Sequence, residues 1–191
     1  MTIAVIVIIA IGVILLLLIG FFILSYNSLV QKRNETKNAW SQIDVQLKRR
    51  HDLIPNLVET AKGYMVHERQ TMEAVTRART SAVQASGSGA AAQSGVEGAL
   101  SGALTRFFAV AEQYPDLKAN QNFLALQEEL SSTENRIGFA RQFYNDRVLN
   151  YNNKTQSIPF NIIASIGNFK DAEFFEIEDV QEKEVPKVSF S

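Results

Sequence analysis

The sequence contains no cysteine. That excludes thiol nucleophiles, disulfides, iron–sulfur clusters and thiolate zinc sites together, although it leaves the compartment open. Histidine is scarce: His51 and His67 are the only two, and neither sits in an HExxH pattern or a zinc-type cluster. No Walker loop, dinucleotide fingerprint or GxSxG elbow is present, and Gly87 and Gly89 have no strand before them. These absences argue against a cofactor, a metal and a small-molecule substrate. A charge excess is missing too. Nineteen basic residues against twenty acidic ones leave a formal charge of −1, so the bulk electrostatic footprint of a nucleic-acid binder is absent.

What the chain does have is a long apolar run. From Ile3 to Leu24, "IAVIVIIAIGVILLLLIGFFIL" carries no charge, and roughly 20 such residues suffice to cross the bilayer core as a helix. A cleaved signal peptide needs a basic n-region, a shorter apolar core and a small-residue cleavage site. Only Met1 and Thr2 precede this run, and "FFILSYN" is a poor cleavage site. Residues 1–25 are therefore expected to be an uncleaved transmembrane signal anchor, with the lipid bilayer as partner of residues 3–24. The basic flank Lys32, Arg33 and Lys37 follows the span, diluted by Glu35. By the positive-inside rule it places the carboxyl side in the cytosol and the N-terminus outside. The run has no intramembrane charge and no GxxxG pair, which suits an anchor rather than a pore or pump.

Residues 26–156 carry seven-residue stripes. On the first stretch the stripe includes Trp40, Ile43, Leu47, Ile54 and Leu57. On the last long one, from about Ala119 to Asn153, it includes Phe123, Leu130, Ile137, Tyr144 and Tyr151. Trp40, Tyr64, Tyr144 and Tyr151 suit a core better than a cofactor box, and each buried polar tip then needs a partner. The two stripes are expected to meet as the seam of an antiparallel bundle. Between them "ASGSGAAAQSGVEG" has the composition of a flexible linker at about 86–98. Helix is expected to resume near Ala99 and to stop at the turn "YPD" around Pro115. Asn135, Asn145, Asn150, Asn152 and Asn153 crowd the last helix, where they either bond across helices or fray its end.

The stretch "QLKRRHDLIPNLVE" could hold chemistry, a surface reader or a joint. His51 beside Asp52 is half of a triad, but adjacent helical residues point apart and no serine or cysteine motif completes it. Lys48, Arg49 and Arg50 are too few for a membrane-surface patch, and in a straight helix they lie roughly 35 Å beyond Leu24. A solvated face suits them better, with Arg50 turned inward to pair with a carboxylate such as Glu128, Glu129 or Asp146. That leaves a joint at Asp52 and Pro55. Either Pro55 kinks one very long helix, or Asp52 caps a new helix after a tight turn.

Beyond the bundle, residues 157–191 comprise the apolar patch "IPFNIIASIGNF", too short to span, and an acidic tail expected to be extended or mobile. Phe107 and Phe108 in "TRFFAVA", with Phe160, Ile162 and Ile163, add apolar surface that one bundle need not cover. They are the candidate interface of a homo-oligomer or of a contact with the bilayer surface. The alternative is a patch that folds back on its own bundle.

The order of the apolar span, "YNSLVQKRNETKNAWSQIDVQLKRRHDLIPNLVETAKGY", "ANQNFLALQEELSSTENRIGFARQFYNDRVLNYN" and "IPFNIIASIGNF" resembles the LemA family of bacterial membrane proteins, from Ala4 to about Phe175. The resemblance implies an all-α chain, an N-terminal transmembrane helix followed by an antiparallel, predominantly four-helix bundle, to which the residues themselves add the extended C-terminal tail. It implies a turn rather than a kink at Pro55, and location in the bacterial inner membrane with the bundle inside the cell. The family carries no established catalytic residues. Some members are linked to membrane-organelle organisation and others are encoded near membrane-bound proteases. The expected function is thus a non-enzymatic scaffold that self-assembles at the membrane, the alternative being an adaptor for a membrane-protein partner such as a protease or transporter.

Overall fold

A computed structural model describes residues 2–176, and it is all-α, with no strand among the described residues. Among the described residues six helices follow in order: α1 (Thr2–Lys62), α2 (Arg69–Gln84), α3 (Ala90–Ala111), α4 (Pro115–Lys118), α5 (Gln121–Gln156) and α6 (Phe160–Ile166). The expectation for the acidic tail past Glu176 lies outside the described residues. Contacts divide the described residues into two units, residues 2–41 with 143–172 and residues 42–142 with 173–176.

The apolar run is the first part of α1. An 18-residue window in it reaches a mean hydropathy of 3.5, and none of that window is buried. A core helix of a soluble protein would be mostly covered. This one is long and apolar enough to cross a membrane.

In the first unit the end of α5 runs antiparallel to α1. Trp40 stacks edge-on against Tyr144 at 5.2 Å, Thr36 Oγ1 donates to the Arg147 carbonyl at 3.4 Å, and Leu29 shares a core with Tyr151. The chain then turns back through α6. That helix stops in a Schellman arrangement: Asn168 takes the left-handed conformation at φ 52, its N–H reaches Ser165 O at 3.3 Å, and the Phe169 N–H reaches Ala164 O at 2.9 Å. Phe169 joins Ile163 and Ala164 in the core, which fixes the rotation of α6. Asn152 holds the returning strand of chain. Its Nδ2 donates to Ala172 O and its Oδ1 accepts from Ala172 N, both at 2.9 Å, while the Tyr151 hydroxyl donates to Lys170 O at 2.9 Å. One of the crowded asparagines thus bonds a separate segment.

In the second unit, parts of α1, α2, α3, α4 and α5 share one core around Leu57, Val75, Leu104, Phe107, Leu117 and Phe123. Two pairings show α1 and α5 antiparallel here as well, Arg50 with Glu134 and Tyr64 with Asn120. Two features of this unit differ from the sequence-based expectation. The first is the linker. Only Ala85–Gly89 turns, with φ +84 at Gly87 and +105 at Gly89, and α3 starts at Ala90. Alanine has the highest helix propensity, and the new helix is anchored because Gln93, Ser94 and Glu97 are buried. A Cβ at Gly89 would lie 3.1 Å from Glu173 Oε2. That carboxylate accepts from the Ala91 N–H at 3.4 Å, a favourable place for negative charge at a helix start.

The second difference is at Pro55. No turn forms at Asp52, because α1 continues through Pro55 to Lys62 as one 61-residue helix. Proline removes the N–H that would bond the carbonyl four residues earlier, here that of His51. Arg79 of α2 supplies the missing donor, its Nε lying 2.7 Å from His51 O. The first real break follows at Gly63.

Asn120 starts α5. Its Oδ1 accepts the N–H groups of Asn122 at 2.9 Å and Phe123 at 3.1 Å, two of the donors that a helix start leaves free. Asn120→Ala is expected to cost about 1 kcal/mol, measured as a lower melting temperature of the full chain in detergent than that of Asn122→Ala, which keeps the cap.

Candidate functional site

Three consecutive residues of α1, Arg49, Arg50 and His51, reach every other long helix of the second unit. Arg49 forms an ion pair with Glu129 of α5. Arg50 is fully buried and forks: one guanidinium nitrogen bonds the Glu97 carboxylate of α3, the other the Glu134 carboxylate of α5 and Ser101 Oγ at 2.9 Å. Its Nε has no partner. His51 Nε2 lies 2.9 Å from the second Glu97 oxygen, and the backbone carbonyl of His51 takes the bond from Arg79 of α2. One turn of α1 is therefore fastened to α2, α3 and α5 at once.

Glu97 is the centre of this cluster, with no exposed side-chain surface. Burial pushes its carboxyl pKa up, but the hydrogen bond with His51 and the charge of Arg50 outweigh burial and hold it below the ordinary 4.5. Glu134 is half exposed and opens on a cleft of about 450 Å³. In that cleft Ser101 Oγ donates to Glu134 at 3.3 Å, while His51 faces Glu97. Serine and histidine are thus not paired, and both arginine arms are already taken by carboxylates. Among the described residues no three His, Cys, Asp or Glu side chains gather as a metal site. What the arrangement does is fix register. The buried base Arg50 meets the buried acid Glu97 and the half-exposed acid Glu134 at a single alignment of α1 with α3 and α5.

The sequence-derived positions fall as follows. Ile43, Leu47, Ile54, Leu57, Phe123, Leu130, Ile137, Tyr144 and Tyr151 are buried, and Trp40 is half-buried. Asp52 is exposed and caps nothing, since the helix passes through it. Arg50 does turn inward, but to Glu97 and Glu134 rather than to the carboxylates expected; Glu129 instead takes Arg49. The candidate interface needs correcting. Phe107 is 0% exposed and Ile163 is 4% exposed, so neither can meet another molecule. Phe108 is spent on Phe107 and Phe123, with ring centroids 5.6 and 6.2 Å away. Ile162 stays exposed, and Phe160 packs on Phe21 at 6.4 Å. In the basic flank, Lys32 bonds Glu35 at 2.8 Å, Arg33 lies 4.9 Å over the Phe169 ring, and Lys37 is exposed. Glu97, Ser101, Glu134 and Arg79 were not singled out as site residues in the sequence.

A family model described as the LemA family matches residues 39–190. Magnetosome proteins MamQ 1 and MamQ 2 of Paramagnetospirillum magneticum are each 28% identical to this chain over 182 aligned residues, covering 83% of it and 67% of their own length. Protein LemA of Metamycoplasma hominis is 27% identical over 176 residues, covering 89% of this chain and 79% of its own. These likenesses and the uncovered apolar helix fit a membrane-anchored protein. With most of its length matched by the family model, the chain belongs to the LemA family.

Proposed function

We propose that this protein is a membrane-anchored, non-enzymatic helical scaffold that self-assembles at the bacterial inner membrane, its N-terminus outside and its helical units in the cytosol. The observation that carries the reading is α1 itself. One helix begins as an uncovered apolar span and continues without a break into the Arg49–His51 clamp. A polar network of this kind holds helices in register rather than turning over a substrate. The magnetosome names of several relatives support an organising role. Tethering copies in one membrane raises their effective concentration, so that weak contacts suffice for assembly.

The test is purification of the full chain from membranes in mild detergent, with light scattering of the product. A self-only assembly larger than one chain is expected, and the chain should stay in the membrane pellet through alkaline carbonate washing. A stoichiometric second protein would favour an adaptor instead. A monomer overturns self-assembly, release by carbonate overturns the anchor, and a tightly held metal or nucleotide reopens an enzymatic role.

A further inference from the structure

The hydrophobic residues at α6 divide into two sets. Ile163 and Ala164 face the core of the first unit, 4% exposed each. Ile158, Ile162 and Ile166 remain 82%, 60% and 69% exposed. Within α6, Ile162 and Ile166 are four residues apart and so share a flank, while the exposed Asn161 and Ser165 lie about 100° further round the helix. The Schellman stop and buried Phe169 prevent α6 from rolling to hide those isoleucines.

The position of α6 along α1 says what covers them. Phe160 packs on Phe21, inside the apolar run, and at 1.5 Å per residue Phe21 lies about 5 Å inside the end of that run at Leu24. An interfacial helix buries its apolar face about 5–10 Å into the headgroup and acyl boundary, the same depth. Lys154 Nζ stands 4.7 Å over the Phe160 ring and bonds Ser28 Oγ, so a cation with an apolar stem sits at the boundary, where such side chains reach toward headgroups. Phe22 and Leu24 are uncovered at the same level. The isoleucine face therefore continues the surface of the span.

We infer that α6 is a membrane-interface foot: Ile158, Ile162 and Ile166 lie among the lipid acyl chains beside the span and hold the first unit against the bilayer surface. This rests on the anchor reading and adds a second lipid contact to it.

The absence of cysteine makes the test direct. Single variants Ile162→Cys, Ile166→Cys, Asn161→Cys and Leu16→Cys of the full chain are labelled with an environment-sensitive fluorophore. They are then reconstituted into vesicles of phosphatidylcholine and phosphatidylglycerol, with nitroxide lipids or aqueous iodide as quenchers. Shallow nitroxide lipid is expected to quench positions 162 and 166 roughly twofold more than 161, with iodide showing the reverse order. If Leu16 is quenched by deep nitroxide while 162 and 166 respond like 161, α6 faces water and the inference fails with the anchor intact. If 162 and 166 are shielded from both quenchers, a second copy covers them and the lipid assignment is overturned. If Leu16 itself is reached only by iodide, the anchor reading fails, and the inference with it.

Discussion

Replacing Glu97 by leucine is expected to destabilise the full chain by about 3–5 kcal/mol, because it leaves a buried arginine without its innermost partner. Arg50 has no exposed surface through which water could take over, and Glu134 can satisfy only one arm. Arg50→Met in the wild-type background should be comparably harmful, since it strands Glu97 beside a histidine. The double variant Arg50→Met with Glu97→Leu is expected to recover much of the loss, as apolar replacement of a whole buried ion pair is often neutral. Urea unfolding of the four chains in detergent, followed by circular dichroism, gives the comparison. Additive losses in the double variant would show that the two residues act separately, which the shared contact forbids.

The same pair gives the chain a defined acid sensitivity. Because the Glu97 carboxyl is held below its ordinary 4.5, the folded state binds this proton less readily than the unfolded chain does. The group adds stability that is fully present above about pH 4.5 and disappears as pH falls through the folded value. Glu97→Gln, which keeps the shape and loses the charge, is expected to be less stable than wild type at neutral pH, with the gap narrowing below about pH 4.5. A gap of constant size down to pH 3 would mean that the carboxylate charge is not what holds the cluster.

The seam and span were legible in the sequence because apolar residues at helical spacing and an uninterrupted apolar run report directly on what must leave water. Glu97 was not legible for the same reason. Gln93, Glu97, Leu100, Leu104, Phe107 and Ala111 are all buried on α3 and keep alternating four- and three-residue steps, so the stripe is complete in the sequence. Its first two members are polar, however, and the glycines and serines around them suggest a linker. A rule that admits polar residues onto a stripe when basic residues lie on a facing one would have found Glu97, as it nearly found Arg50. Phe107 reads as a candidate interface, and the patch holding Ile163 reads equally as interface or as a segment folded back, because sequence shows that a residue is apolar but not how much core the remaining helices supply.

The residues around Pro55 leave turn and kink open, and the family resemblance implies a turn, because the compensation for the proline lies 24 residues away at Arg79. That distance allows the coupling to be measured. A proline inside a helix costs about 3 kcal/mol through its missing N–H and the push of its ring against the preceding turn. Arg79 relieves the first part by donating to the His51 carbonyl. Arg79→Met should therefore cost about 1–3 kcal/mol, the penalty of an unsatisfied buried acceptor. In a Pro55→Ala background the carbonyl regains its own helical donor, and the same change should cost under about 1 kcal/mol. The coupling, about 1–2 kcal/mol, is in the range found for residues that share a partner. Pro55→Ala alone should raise the urea midpoint. Equal costs of Arg79→Met in both backgrounds would mean that Arg79 stabilises the chain by packing alone. Such a result would leave the continuation of α1 through Pro55 to the burial of Ile54, Leu57 and Ala61, the apolar face that the clamp at Arg49–His51 aligns with α3 and α5.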